Sequence, residues 1–483
     1  MTSQNPITHD LGRVLAGDLA GQAIALVRGL VIPLIVTPAR YGLWRILLIV
    51  WQYGAYLHLG SFALLNRELP SLFVAGEMGR VSEMRQIAFW GTMTVAFIVA
   101  IGLIVFSLSP AVGTDAELLW ALRISAVGLL GQQLFAYVML DFRVRARFGA
   151  MSLVGSCQAA AALIFMVPLG YIAGVPGLAG GMALAAVMAG AGFGRMVVFE
   201  SPRFKPIDFL RQVLKGTPLS ALPFLNVTIN SVGQIVSASM LGFEAAGFYG
   251  IGVMIGTVVY AIPKALGLVL YPRYLASYAA IEDPIQTAAL LRRSLRVTSV
   301  MSTLAVCGAA ILLAPIYHYV FPVYLPALSS NYALLAMMPF LSYALVLQNA
   351  LLALRLHKRV IQLQVSFIAL SAGLSAAGAF AFQDIRWVAL GVMVANTGYG
   401  LSAMWLALDA TRTGGQSTLR EFLLELCPIV FVGGVTISMI TFWKPSGNLS
   451  SWLIVTIGEF LILSPAAVFL VLRLWRNYRK TSY

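Results

Sequence analysis

Apolar runs of about 20 residues recur along nearly the whole chain, separated by short polar connections. A run of this length spans the roughly 30 Å hydrocarbon core of a bilayer when it is α-helical. None of the runs alternates with a period of two residues; clear examples are 24–36, 91–108, 118–140, 153–171, 177–199 and 297–317. The pattern predicts an all-α integral membrane protein with many crossings.

We predict about fourteen transmembrane helices from these runs. Their predicted bounds are 14–37, 43–66, 87–108, 117–140, 150–171, 175–199, 218–240, 248–270, 297–319, 328–353, 360–382, 387–408, 422–443 and 452–474. Composition agrees, because 60% hydrophobic and 10% charged residues leave too little polar surface for a soluble body of 483 residues. Between predicted helices 2 and 3, alternating charges over 67–86 indicate a short amphipathic helix on the membrane surface.

Basic residues are concentrated in alternate connections, and Lys and Arg in short loops are retained on the cytoplasmic side. These connections lie near residues 143–147, 203–215, 292–296 and 355–359, and the C-terminal tail adds further basic residues. The distribution predicts that both termini are cytoplasmic. The net charge of +14 is then explained by topology and by attraction to anionic lipid headgroups, not by nucleic-acid binding.

Groups for covalent chemistry or metal binding are scarce. The opposite, non-cytoplasmic connections are only a few residues long, and Asp115 with Glu117 is the main acidic pair among them. The three cysteines and four histidines are scattered, without the spacing of a disulfide framework or metal site. No Gly-rich phosphate loop of the Walker type occurs. We therefore predict a protein that moves a substrate, that is not an enzyme and that needs no cofactor or metal.

Three weak matches at nearly one offset indicate an internal duplication. Residues 38–44 resemble 245–251, residues 66–70 pair with 272–275, and the basic positions after predicted helices 4 and 10 also correspond. An even number of helices in each half gives both halves the same orientation. We therefore predict two six-helix lobes, 1–215 and 216–412, related by a pseudo-two-fold axis along the membrane normal, followed by two C-terminal helices and a basic tail in 413–483.

The helix arrangement and three short motifs resemble a known family. Tyr41-Gly42 and Tyr249-Gly250 follow the first helix of each half, and Leu65-Asn66-Arg67-Glu68-Leu69-Pro70 follows predicted helix 2. These features resemble the polysaccharide-transport, or Wzx-type, branch of the MOP flippase superfamily. The resemblance implies a bacterial inner-membrane flippase for undecaprenyl-pyrophosphate-linked oligosaccharide, used in O-antigen, capsule or exopolysaccharide synthesis, and possible contact with a polysaccharide polymerase. Gly233-Gln234 stand where members of this family often carry an acidic and a basic residue.

Arginines within the first predicted lobe are the main candidates for binding substrate. A charged side chain at the bilayer centre costs roughly 2.5 to 3.5 kcal/mol on insertion scales, so it usually faces a partner or a wet cavity. Arg28 lies deep in predicted helix 1, and Arg45 and Arg123 lie nearer helix ends. If they converge, they form a cationic surface suited to a diphosphate. The alternatives are that Arg45 is an interfacial anchor and that Arg123 pairs structurally.

Polar residues on two further helices are candidates of a different kind. Asn226, Asn230 and Gln234 recur every four residues on predicted helix 7, so they lie on one helix face. Their amides suit sugar hydroxyls, although interhelical hydrogen bonding explains them equally well. Asp18 could relay an ion or proton, but helix capping or a bond to Gln22 is the favoured interpretation.

Three other functions remain open at this point. A peptidoglycan-precursor flippase shares the same predicted architecture. A multidrug or cation antiporter of the superfamily is disfavoured by predicted helices 13 and 14 and by the scarcity of membrane carboxylates. A non-transporting scaffold for an envelope-synthesis complex would tolerate loss of every intramembrane arginine, provided that the protein still folded.

Overall fold

The computed structural model describes residues 6–110, 115–197, 199, 201, 205–260, 284–354, 356–410 and 426. Its α-helices are α1 Pro6–Ile35, α2 Pro38–Gly54, α3 Ser61–Val74, α4 Met78–Ser107, α5 Ala116–Val144, α6 Phe148–Gly194, α7 Pro206–Val236, α8 Phe243–Tyr260, α9 Pro284–Pro315, α10 Leu328–Ala336, α11 Met338–Ala353, α12 His357–Phe382 and α13 Ile385–Ala410. Helix α7 continues as a π-helical turn, Ser237–Leu241, and α9 as Ile316–Val320. No strand occurs within the described ranges.

Eight helical segments in the described part of the chain are long and apolar enough to cross a membrane. The protein is therefore a multi-pass membrane protein. Each of the first twelve predicted helices overlaps an observed helix. Predicted helices 13 and 14, at 422–443 and 452–474, lie outside the described residues apart from Leu426. The total of fourteen helices and the two-lobe layout stay predictions.

The prediction of one continuous helix over 43–66 is wrong. Helix α2 ends at Gly54, and α3 begins at Ser61 after a series of turns. Leu59 and Gly60 both adopt left-handed backbone conformations, with φ of 50° and 97°. The apolar pattern could not reveal this break, because hydrophobicity continues through it. In addition, α3 and α4 extend through most of residues 67–86, so no separate surface helix forms there.

The short connections predicted for one face of the membrane are tight turns at single left-handed residues. The two halves of α6 meet at Gly174, where φ is 64°. Gly242 follows α7 and its π-helical turn with φ of 92°, and Gln383 ends α12 with φ of 50°. Glycine adopts this conformation without the steric cost that a Cβ imposes. The turns therefore reverse the chain within a few residues.

The chain divides into two compact units, Met1–Thr228 and Ile229–Tyr483, and the division falls inside α7. In unit 1, large side chains of α3, α4 and α5 form the core, including Phe62, Leu65, Phe89, Tyr137 and Phe142.

Unit 2 contains a buried amide at the junction of α8, α9 and α10. Asn331 of α10 donates to the Tyr317 hydroxyl, in the π-helical turn after α9, and to the Phe248 carbonyl of α8 at 3.4 Å. Because hydrocarbon offers no hydrogen-bond partner, an amide at this position ties the three helices together.

Two glycines bring α7 against the break between α2 and α3. A Cβ on Gly60 would lie 2.4 Å from the Gly216 carbonyl carbon, and one on Gly216 would lie 2.0 Å from the Gly60 carbonyl oxygen. Beside this contact, the Thr217 hydroxyl shares its proton between the Val213 carbonyl of its own helix, at 2.7 Å, and the Leu59 carbonyl, at 3.1 Å. Only glycine at both positions permits the two backbones to approach so closely.

We expect Gly216→Ala to lower the free energy of unfolding by about 1–3 kcal/mol, because the added methyl group overlaps backbone atoms. Intrinsic helix propensity acts in the opposite direction, since alanine is favoured over glycine inside a helix by roughly 0.5–1 kcal/mol. The matched control is Gly102→Ala in α4, where no atom lies within 4 Å of the added Cβ. Thermal unfolding in detergent measures both variants. Equal stability of the two would contradict the close contact.

Candidate substrate-binding site

Three chain segments of unit 1 meet at one end of its helices, which we call the α1–α2 face. Arg40, in the first turn of α2, forms a salt bridge of 2.6 Å with Glu117, in the first turn of α5. A Cβ at Gly174, the kink of α6, would lie 3.1 Å from a Glu117 carboxylate oxygen. The connection from α1 to α2, the start of α5 and the kink of α6 therefore lie at the same face.

Arg28, Arg45 and Arg123 occupy one layer below the α1–α2 face. Arg28 is seven residues before Ile35, the last residue of α1; Arg45 is seven residues after Pro38; and Arg123 is seven residues after Ala116. At 1.5 Å of rise per residue, each lies about 10 Å along its helix from this face. The sequence analysis placed Arg28 deep in predicted helix 1 and the other two arginines nearer helix ends; the observed helix ends put all three at a similar depth.

Arg28 differs from the other two arginines in its surroundings. Its side chain is partly exposed, and it makes no hydrogen bond or ion pair with any residue that the structure describes. Its guanidinium carries a full charge and five N–H donors. A group of this kind within an apolar helix requires water or an anion beside it.

Arg45 is held by a neighbour on its own helix. Its guanidinium hydrogen-bonds the hydroxyl of Tyr41, one turn earlier in α2, and the Tyr41 side chain is buried. Arg45 itself is partly exposed. Tyr41, whose Tyr-Gly motif contributed to the family resemblance, therefore orients a candidate binding residue.

Arg123 has structural partners. Its Nε donates to the Ser107 hydroxyl at the end of α4 at 3.1 Å, and its guanidinium lies 5.3 Å from the centre of the Trp120 ring. Trp120 is 56% exposed, as expected for an aromatic residue at a membrane interface. These contacts favour the structural interpretation of Arg123, which joins α4 to α5.

The polar residues of α7 follow one helix face but have different surroundings. Asn226 lies in unit 1 and is partly exposed, whereas Asn230 and Gln234 lie in unit 2. Asn230 is exposed, and Gln234 is 1% exposed. The three amides do not form a uniformly open stripe. Asp18 lies on α1, and its side chain is outside the described part of the structure.

Several solved structures share the architecture. The chain is similar to the lipid II flippase MurJ in an inward closed conformation, with a TM-score of 0.69, 13% identity and coverage of 96% of this chain and 99% of that chain. It is also similar to an inward-facing multidrug resistance MATE family transporter of the MOP superfamily, with a TM-score of 0.65, 13% identity and coverage of 86% and 96%. A third similar structure is the eukaryotic MATE transporter AtDTX14, with a TM-score of 0.59, 13% identity and coverage of 86% of this chain and 97% of that chain.

This chain has the fold of these transporters, the MOP fold. At 13% identity the similarity concerns the fold alone. No protein-family model matches the sequence, and no curated protein matches it either. The fold expected from the resemblance is therefore supported by the solved structures, whereas membership of the MOP superfamily and of its Wzx-type branch stays a proposal.

Within the MOP fold, a buried ion pair joins α4 to α5 near their other ends. Arg85 of α4 and Asp141 of α5 are 4% and 5% exposed, and a guanidinium nitrogen lies 2.6 Å from the carboxylate. Arg145 contacts the same carboxylate oxygen at 3.1 Å, and Arg85 Nε donates to the Tyr137 hydroxyl at 3.2 Å. The sequence analysis missed this pair, because it assigned Arg85 to a short amphipathic helix on the membrane surface. An acidic residue four positions after Tyr137 in an apolar helix was the available signal.

We expect Asp141→Asn to destabilise the protein by about 3–5 kcal/mol, because it leaves the buried charge of Arg85 uncompensated. The control is Asp208→Asn, which breaks an exposed pair with Arg211, 3.2 Å apart, and which should cost no more than about 1 kcal/mol. Thermal or denaturant unfolding in detergent compares them. Similar losses in the two variants would show that the buried pair contributes no more than a surface pair.

Proposed function

We propose that this protein is a flippase for a polyprenyl-diphosphate-linked oligosaccharide. The cargo that fits best is an undecaprenyl-pyrophosphate-linked repeat unit for O-antigen, capsule or exopolysaccharide synthesis, carried across the bacterial inner membrane. The supporting observations are the MOP fold, the multi-pass helices and the arginine layer of unit 1. Localisation of both termini in the cytoplasm and the lobe bounds 1–215 and 216–412 belong to the same proposal.

Arg28 is the observation that carries the proposal. Among the described residues it has no acidic partner, although it lies about 10 Å inside α1. Guanidinium groups bind phosphate oxygens through paired, charge-assisted hydrogen bonds. In this proposal Arg28 and Arg45 bind the diphosphate while the polyprenyl chain stays in lipid. No bond is made or broken, and the cargo crosses by alternating access.

A peptidoglycan-precursor flippase is the second candidate. The observation that favours it is the similarity to the lipid II flippase MurJ, which extends over 96% of this chain. Both candidates carry a polyprenyl diphosphate, so the arginine layer is compatible with either. The two differ in the lipid that accumulates when the protein is depleted, and in whether depletion stops growth.

We expect Arg28→Gln to reduce transport at least about tenfold, because loss of a charge-assisted contact to a diphosphate costs on the order of 1.5–3 kcal/mol. Arg28→Lys should retain part of the activity, since lysine keeps the charge but not the bidentate geometry. The measurement is mass spectrometry of polyprenyl-linked lipids in depleted cells that carry each variant, which also identifies the cargo.

Arg211→Gln is the matched control, because it removes the same charge from an exposed position of unit 1. It should restore lipid turnover fully. Normal turnover with Arg28→Gln, at wild-type protein abundance, would remove Arg28 from the site. Absence of any accumulated polyprenyl-linked lipid on depletion, with surface glycans intact, would instead favour drug or ion export.

A further inference from the structure

An aromatic cluster lies in unit 1 where α2 ends and α7 passes. It consists of Tyr53 in the last turn of α2, Tyr56 in the break before α3, and Phe224 of α7. The ring of Phe224 lies 5.3 Å from that of Tyr53 and 5.6 Å from that of Tyr56, measured between centroids. Phe224 is 40% exposed and both tyrosines are partly exposed, so the cluster forms a surface as well as a packing contact.

The exposed side of this aromatic cluster is polar. The Tyr53 hydroxyl donates to the Thr228 hydroxyl at 3.2 Å, Thr228 is partly exposed, and the neighbouring Gln52 is exposed. Tyr53 is fifteen residues after Pro38, which places it about 22 Å from the α1–α2 face and within the thickness of the membrane. An exposed amide such as that of Gln52 at this depth is stable beside water and costly in lipid. The end of α2 therefore borders a hydrated space.

The break that positions Tyr56 is held by side chains of α5. Gln133 donates to the Gly54 carbonyl at 2.7 Å, and Gln132 donates to the Trp51 carbonyl at 3.2 Å. The same two carbonyls also accept backbone N–H groups, Trp51 from Ala55 and Gly54 from Leu57, so the glutamines add a second hydrogen bond to each. The loop from 55 to 60 is therefore held in place, and Tyr56 is presented beside Tyr53.

We infer that Tyr53, Tyr56 and Phe224 form a platform for a sugar ring of the cargo, an inference that rests on the proposed function. The apolar C–H face of a pyranose packs on the electron-rich face of an aromatic ring. The hydroxyls of the sugar find hydrogen-bond partners in the hydroxyl groups of Tyr53 and Thr228.

The distance between this platform and the arginine layer suits a lipid-linked sugar. Tyr53 follows Arg45 by eight residues on α2, a separation of about 12 Å along the helix. In the cargo the first sugar is linked to the diphosphate. Binding of the diphosphate at the arginines and of the first sugar at the aromatic cluster therefore follows the order of these groups in the cargo. A stacking contact depends on the shape of the sugar ring, so the platform accepts different sugars.

The test compares two lipids that differ only in the sugar, undecaprenyl diphosphate and undecaprenyl-diphosphate N-acetylglucosamine. Dissociation constants are measured with the purified full-length protein in detergent. Wild type should bind the sugar-bearing lipid more tightly. Tyr56→Leu, which keeps apolar bulk but removes the ring, should weaken binding of that lipid roughly three- to tenfold while leaving the sugarless lipid unchanged, as expected for loss of an aromatic contact.

Tyr53→Phe is the matched variant, because it keeps the ring and loses only the hydroxyl that bonds Thr228. It should retain most of the preference for the sugar-bearing lipid. Unchanged preference in Tyr56→Leu and in Tyr53→Leu, or no preference in wild type, overturns the platform while leaving the diphosphate site intact. Failure of wild type to bind either lipid overturns the proposed function itself, and the platform with it. Arg28→Gln should weaken binding of both lipids.

Discussion

A polar group inside hydrocarbon must find a partner within the protein, and this constraint organises the molecule. It explains why the described transmembrane segments are helices, since a helix satisfies its own backbone. It also explains how α2 can stop in the membrane. The carbonyls near its end accept hydrogen bonds from N–H groups of the following turn and from Gln132 and Gln133, and the Thr217 hydroxyl lies 3.1 Å from the Leu59 carbonyl oxygen. The break is therefore a supported structure that places side chains where a continuous helix would not.

The same constraint distinguishes charged residues that are paired within the protein from those that are not. Arg85 and Asp141 neutralise one another in the interior of unit 1, and Arg40 and Glu117 do so at the α1–α2 face. Arg28 is left without such a partner among the described residues. A charge without a partner in the described part of the chain is the natural place for the diphosphate of the proposed cargo, and this contrast carries more weight than the presence of arginines as such.

The MOP fold alone does not decide what is carried, because one fold supports many functions and specificity resides in particular side chains. MATE transporters and MurJ share this architecture with the chain at only 13% identity. Unit 1 of this chain combines a cationic layer with an aromatic, hydroxyl-bearing surface further along α2. Together they match a molecule with an anionic linkage and a carbohydrate part.

The hydrophobic pattern by itself determined the all-helical membrane fold and the approximate places of twelve helices. It also indicated the short connections that form tight turns near Gly174, Gly242 and Gln383. The reason is that lipid imposes a length and a composition on every crossing. Only the tertiary structure decided that predicted helix 2 is broken, that Arg85 is buried against Asp141, and that Arg123 has partners while Arg28 has none among the described residues. These features depend on contacts between residues far apart in the chain. Composition and spacing indicate which residues lie in the membrane, whereas tertiary packing decides which of them are in contact.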